Sequence, residues 1–129
     1  MKTILVDAIG ALVVKDEGVF EDMHALLETF PNRKLVLTGA NDDQFTKFGL
    51  DKVPYEVFTL KHDPEKTDPA YFRILLKHYD LLPSDVVYFE HNKDAMACAQ
   101  AVGITTMFYD EHKQDLAELK QFLETHLES

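Results

Sequence analysis

Thr3-Ile4-Leu5-Val6-Asp7 establishes the architecture of this chain. A short, unbroken apolar run that ends in an acid is typical of a strand covered on both faces, as in a parallel sheet flanked by helices. Similar runs return four more times, at residues 35–37, 57–60, 86–89 and 105–108. The sequence therefore predicts five buried strands.

Helical patterns separate these runs, with apolar residues three and four positions apart. They cover residues 20–30, 69–79, 92–102 and 115–127, and Asp68 before Pro69 is an N-cap followed by proline at the first helical position. The alternation of strand and helix predicts right-handed crossovers and an α/β fold. We expect one domain over residues 1–129, a doubly wound three-layer sandwich around a five-stranded parallel sheet. The stretch around residues 15–18 predicts a small hairpin just after strand one.

Composition excludes several classes of function. The chain has 129 residues, with 23 acidic and 13 basic side chains and a net charge of −10, which repels phosphate backbones and anionic lipid. We therefore expect neither nucleic-acid nor membrane binding. One cysteine, Cys98, cannot form an internal disulfide, and the N-terminus lacks the pattern of a secretory signal, so the expected location is the cytoplasm.

Polar residues stand where the predicted strands end. In open parallel sheets the binding crevice lies outside the carboxyl ends of the strands, which here present Asp7, Thr38, Glu90 and, four residues further on, Asp94. Lys66 precedes the helix at residues 69–79. Each of these residues alone has an ordinary explanation as a turn, cap or solvated residue. Their joint order is rarer and marks a candidate site.

This order resembles the four motifs of the haloacid dehalogenase-like (HAD) superfamily, over nearly the whole chain. Ile4 to Leu12 is similar to the strand followed by Asp-x-Asp-Gly-Thr-Leu, and Leu35-Val36-Leu37-Thr38-Gly39 is similar to the strand ending in Thr or Ser. Lys66-Thr67-Asp68-Pro69 resembles the third motif, and Val87-Tyr88-Phe89-Glu90 with Asp94 resembles the fourth. The resemblance implies a Rossmann-like core of the HAD type.

The resemblance also implies roles for these residues. Asp7 would be the nucleophile that forms an aspartyl-phosphate, Thr38 would bind the phosphoryl oxygens, and Lys66 would offset their charge. Mg²⁺ would be held by Asp7, Glu90, Asp94 and the main-chain carbonyl of Ile9. The substrate would be a phosphorylated small molecule or protein. Three carboxylates beside one ammonium would carry a local charge of −2, which a divalent cation neutralises.

The first motif departs from the family pattern. Phosphatases of this family have an acid/base Asp two residues after the nucleophile, whereas this chain has Ile9, and the usual Thr is Ala11. General acid–base help is worth a factor of about 10² to 10⁴, so the expected activity is weak or specialised. A catalytically silent binding or regulatory module is one alternative. A dehalogenase-type hydrolase is another, because Asp7-Ala8-Ile9-Gly10-Ala11 resembles the Asp-Ala-Tyr-Gly-Thr of haloalkanoic acid dehalogenases.

Two further features concern access to the site. The segments between Asp7, Thr38 and Lys66 are too short for a cap domain, so the site is expected to be uncapped and open to bulky substrates. Six histidines lack the spacing of a zinc site. His91, next to Glu90, is a candidate proton donor or extra ligand, although a solvated loop position is the favoured interpretation. The sequence does not indicate an oligomeric state.

Overall fold

A computed structural model describes residues 1–127 as a parallel sheet between two layers of helices. The sheet consists of β1 (Thr3–Asp7), β4 (Lys34–Thr38), β5 (Glu56–Thr59), β6 (Val86–Glu90) and β7 (Thr105–Phe108). The helices are α1 (Glu21–Glu28), α2 (Asp42–Lys47), α3 (Pro69–His78), α4 (Lys93–Ala101) and α5 (Leu116–Leu127). The predicted α/β fold is confirmed, and the predicted strands and helices lie within two residues of the observed bounds.

The strand order β5-β4-β1-β6-β7 places the first strand at the centre of the sheet. β1 pairs in parallel with β4 on one side and with β6 on the other, with Leu5 opposite Leu35 and Tyr88. Chain direction therefore brings the carboxyl ends of β4, β1 and β6 next to one another at one edge.

The unbroken apolar run of β1 is explained by two separate cores. Successive side chains of a strand point to opposite faces. Ile4 and Val6 accordingly pack in one core with residues of α1 and α5, and Leu5 packs in the other with residues of α3 and α4. All five residues of β1 are buried.

Capping residues that are visible in the sequence mark the starts of the three helices next to the site. The Asp68 side chain accepts a hydrogen bond from the backbone N–H of Ala70 and caps α3, as predicted. Asn41 caps α2 with Gln44 in a capping box. Asn92 caps α4 by accepting from the N–H groups of two residues in its first turn.

The connections between strands are short. β1 leads into an antiparallel hairpin of β2 (Val13–Val14) and β3 (Gly18–Val19), which confirms the predicted hairpin, and α1 then leads to β4. Between β4 and β5 the chain holds α2 and one 3₁₀ turn, Leu50–Lys52. Within residues 1–127 no helix has the length and apolarity needed to cross a bilayer.

Candidate active site

Three adjacent strands deliver polar residues to one cavity. Asp7 ends β1, Thr38 ends β4 and Glu90 ends β6, and all three line a cavity of about 270 Å³ at the carboxyl edge of the sheet. Lys66, from the loop before α3, and Ile9 line the same cavity. The topology thus brings together residues that are up to 83 positions apart in the chain.

Asp7 is the most constrained of these groups. Its side chain is 1% exposed, and Oδ1 accepts a 2.8 Å hydrogen bond from Nζ of Lys66. Oδ2 accepts from the backbone N–H of His91 at 3.1 Å and also contacts the His91 ring. Burial raises the pKa of the Asp7 carboxyl, Lys66 opposes this, and the nearby Glu90 carboxylate raises the pKa again. Both carboxyl oxygens of Asp7 thus have hydrogen-bond partners, Lys66 at Oδ1 and His91 at Oδ2.

Lys66 joins the two buried carboxylates. Its Nζ lies 2.7 Å from Oε1 of Glu90 as well as 2.8 Å from Oδ1 of Asp7. Burial would lower the pKa of Lys66, but the charges of Asp7 and Glu90 outweigh it and hold the pKa above its usual value. Glu90 is 0% exposed and also accepts from the Tyr88 hydroxyl. Burial, the largest effect, would raise the pKa of Glu90, but the charge of Lys66 and the hydrogen bonds with His91 and Lys66 together keep this pKa well below its usual range. The Lys66 ammonium and both carboxyl groups are held in one buried contact.

His91 is not a solvated loop residue, so the favoured interpretation of this histidine is wrong. Its Nδ1 contacts Oδ2 of Asp7 and lies 3.2 Å from Oε2 of Glu90. Hydrogen bonds to these carboxylates raise the pKa of His91 to about 10, against a smaller effect of burial. The imidazole therefore belongs to the site. Its position directly after Glu90 was the available sequence signal.

Asp94 lies elsewhere. It is exposed at the start of α4, where its backbone N–H donates to Asn92, and it does not line the cavity. Within residues 1–127, the side chains able to offer metal-ligand atoms within 4.8 Å of one another are those of Asp7, Glu90 and His91. The expected local charge of −2 is therefore wrong, because Asp94 does not join the other two carboxylates. Two carboxylates and Lys66 carry −1, or zero when His91 is protonated.

Thr38 and Ile9 occupy the positions expected from the sequence. Thr38 is 5% exposed, its Oγ1 accepts from the N–H of Ala40 at 3.2 Å, and its carbonyl accepts from the buried Tyr71 hydroxyl at 2.8 Å. The hydroxyl of Thr38 remains able to donate into the cavity. Ile9 also lines the cavity, and its hydrocarbon side chain supplies no titratable group.

Sequence reasoning missed a second polar group on the cavity wall, formed by His62, Glu65 and Gln44. Nδ1 of His62 lies 3.0 Å from Oε2 of Glu65, and Nε2 lies 2.5 Å from Oε1 of Gln44. His62 and the preceding Lys61 both have left-handed backbones, with φ of 67° and 54°. No motif signals this group, because it joins α2 to a loop that follows β5.

Glycine allows the His91 ring to approach the strand end. Gly10 has φ of 100°, and a Cβ there would lie 2.8 Å from both Nδ1 of His91 and Oε2 of Glu111. Any larger residue would displace these side chains. The close approach of His91 to Asp7 therefore depends on the absence of a side chain at position 10.

Comparisons with solved structures identify the fold. A HAD family enzyme from Bacteroides thetaiotaomicron, an aspartate-to-alanine variant in complex with magnesium and inorganic phosphate, aligns with a TM-score of 0.72 at 14% identity, over 92% of this chain and 98% of that one. The D,D-heptose 1,7-bisphosphate phosphatase from B. bronchiseptica, complexed with magnesium and phosphate, aligns with a TM-score of 0.67 at 15% identity, over 92% and 87%. An uncharacterized protein from Corynebacterium glutamicum aligns with a TM-score of 0.64 at 17% identity, over 96% of both chains.

Neither the protein-family models nor the curated proteins include a match to this sequence. The structural alignments cover almost the whole chain, and the aligned proteins include enzymes of the HAD family. The chain therefore has the HAD-like fold, as the resemblance of its four motifs implies.

Proposed function

We propose that this chain is a HAD-type hydrolase that cleaves phosphoryl groups through Asp7. The observation that carries the proposal is the buried Asp7 carboxylate at the end of β1, bound by Lys66 at 2.8 Å, in a cavity that Thr38 also lines. A nucleophilic carboxylate needs a neighbouring cation to approach an anionic phosphate. Two proteins with this fold bind magnesium and phosphate, which supports the same class of ligand here.

The residues of the chain suggest how such a reaction would proceed. An oxygen of Asp7 attacks phosphorus, the bond to the leaving oxygen breaks, and an aspartyl-phosphate forms on Asp7. Lys66 offsets the negative charge of nucleophile and phosphate, and the Thr38 hydroxyl donates to a phosphoryl oxygen. Water then attacks phosphorus and releases inorganic phosphate, which restores the Asp7 carboxylate. Ile9 cannot move a proton in either step, so the proposed activity is weak or specialised.

The donor atoms fit a divalent cation. Asp7 and Glu90 offer two buried carboxylates, which are the ligands that Mg²⁺ prefers, and the Ile9 carbonyl is a proposed further ligand. His91 completes the group, and exposed Asp94 is not included. Such a cation would neutralise the charge between the carboxylates and a bound phosphoryl group.

The short connections between strands favour an uncapped, single-domain protein with an open cavity. Water and large molecules can reach such a site, so the proposed substrates include phosphorylated proteins as well as small molecules.

Hydrolysis of an aryl phosphate with Mg²⁺ tests the proposal. We expect measurable turnover in the wild type and a loss of about 10³-fold or more in Asp7→Asn, because the nucleophile is removed. Asp42→Asn, on an exposed side chain of α2, is the matched control and should retain the wild-type rate. Equal turnover in wild type and Asp7→Asn would rule out the role of Asp7.

A silent binding module is the second candidate, and one observation favours it: Lys66 and His91 occupy both oxygens of Asp7. Such a module would bind phosphate or beryllofluoride in calorimetry without turning over any aryl phosphate. Release of halide from a 2-haloacid without metal would instead favour the dehalogenase-type alternative.

A further inference from the structure

We infer that the cation site of this chain favours a borderline transition-metal ion such as Zn²⁺ or Co²⁺ over Mg²⁺, because an imidazole nitrogen stands beside the two buried carboxylates. The inference rests on the proposed function, since it concerns the same cation site, and it assigns the chemical class of the ion. It depends on His91, which the sequence motifs did not place in the site.

The geometry places a nitrogen donor at the centre of the group. Nδ1 of His91 contacts Oδ2 of Asp7 and lies 3.2 Å from Oε2 of Glu90, and all three ligand atoms lie within 4.8 Å of one another. Asp7 and Glu90 are 1% and 0% exposed, whereas the His91 side chain is 28% exposed. The imidazole thus stands on the solvent side of two carboxylates that the sheet buries.

The His91 ring is held in this position by its surroundings. The backbone N–H of His91 donates to the same Asp7 carboxylate at 3.1 Å, which ties the residue to the end of β1. Gly10 leaves room for the ring, because a Cβ at that position would lie 2.8 Å from Nδ1. An ion would replace the proton that Nδ1 shares with Oδ2 of Asp7, so its binding releases a proton and moves the ring slightly away from that oxygen.

The type of donor decides which ion is favoured. Mg²⁺ is a hard cation that takes oxygen ligands and keeps several waters, whereas imidazole suits Zn²⁺ and Ni²⁺, and Co²⁺ belongs to the same series of divalent ions. Catalytic zinc sites also use three protein ligands, and imidazole and carboxylate are both among the ligand types found there. The remaining acid of the fourth motif, Asp94, is exposed and outside the group. The third side-chain ligand is therefore nitrogen rather than oxygen.

The test measures ion affinity directly on the chelator-treated full chain. Calorimetry gives the Kd values of Zn²⁺, Co²⁺ and Mg²⁺ for the wild type, His91→Ala and His91→Asp. We expect Zn²⁺ to bind the wild type at least about 100-fold more tightly than Mg²⁺, and His91→Asp to narrow this ratio by at least about tenfold. His91→Ala should weaken Zn²⁺ and Co²⁺ more than Mg²⁺. His112→Ala, on a side chain that is 90% exposed, controls for binding to surface histidines and should leave every Kd unchanged.

A spectroscopic measurement on the wild type tests directly whether His91 binds the ion. Pulsed EPR of the Mn²⁺-loaded wild type should detect a directly coordinated imidazole nitrogen, and the signal should be absent from His91→Ala. A Zn²⁺ to Mg²⁺ ratio that His91→Asp leaves unchanged, or the absence of nitrogen coupling, would overturn this inference while the proposed hydrolase stands. If the wild type binds no divalent cation, both the inference and the cation of the proposed function are overturned.

Discussion

Nζ of Lys66 donates a 2.8 Å hydrogen bond to Oδ1 of Asp7, although the two residues are 59 positions apart in the chain. The same Nζ lies 2.7 Å from Oε1 of Glu90, so the Lys66 ammonium contacts two buried carboxyl groups at the ends of neighbouring strands. This contact links the loop before α3 to the centre of the sheet.

Replacing Lys66 should therefore destabilise the fold. Lys66→Met removes the ammonium that pairs with both buried carboxyl groups, and we expect a loss of about 3–5 kcal/mol in the free energy of unfolding, measured by urea titration. Lys61→Met removes a lysine that is 59% exposed and pairs with exposed Asp42, so it should cost no more than about 1 kcal/mol. Similar losses in both variants would show that the buried contact contributes little.

Stability should fall at high pH because of His91. Its pKa is raised from 6.5 to about 10 by the hydrogen bonds to Asp7 and Glu90, so the folded protein binds this proton more tightly than the unfolded chain. This contribution is complete below about pH 6.5 and is lost as the pH rises towards about 10. Urea unfolding of the metal-free protein at several pH values measures the slope of the free energy of unfolding against pH.

His91→Asn removes the titrating group and should flatten the part of this slope that lies between pH 7 and 10. His112→Asn changes an exposed histidine and should retain the wild-type slope. A slope that is the same in His91→Asn and the wild type would mean that the protonated imidazole does not stabilise the fold.

Two glycines with positive φ give a matched pair of substitutions. Gly18→Ala, at φ of 86°, meets no atom within 4 Å and should cost only backbone strain, about 1–2 kcal/mol. Gly10→Ala, at φ of 100°, adds a Cβ 2.8 Å from His91 and Glu111, and should cost more. Urea unfolding compares the two variants. Equal losses would indicate that the His91 ring moves aside freely.

Restoring an acid at position 9 should raise phosphatase activity. Ile9 lines the cavity beside Asp7, and an Asp there would supply the proton transfer that the chain lacks. We expect Ile9→Asp to increase aryl phosphate turnover by at least about tenfold, because a well-placed general acid or base is worth a factor of about 10² to 10⁴. Ile9→Asn has a similar polar side chain without the titrating proton and should stay at the wild-type rate. A folded Ile9→Asp that is no faster would count against a phosphoryl-transfer geometry.

The fold could be predicted closely from the sequence. A strand such as β1, buried on both faces, must be apolar at every position, and this pattern is visible without knowledge of its neighbours. Helix caps such as Asp68 are equally local, because the side chain and the N–H that it binds lie two residues apart. Parallel pairing then places Asp7, Thr38 and Glu90 at one edge, so these residues were recognisable as a group.

The composition of the site depended on side-chain directions that no local pattern encodes. Asp94 and His91 both follow Glu90 closely, yet His91 faces the carboxylates while Asp94 is exposed at the start of α4. His62 joins the cavity through a loop whose backbone is left-handed at two successive residues, which sequence periodicity does not reveal. The pattern of hydrophobic residues shows which segments are buried, and it therefore predicts the layers of helices and strands and the residues at which strands end. Which polar atoms meet at those ends is set by loop conformation and close packing between segments distant in the chain.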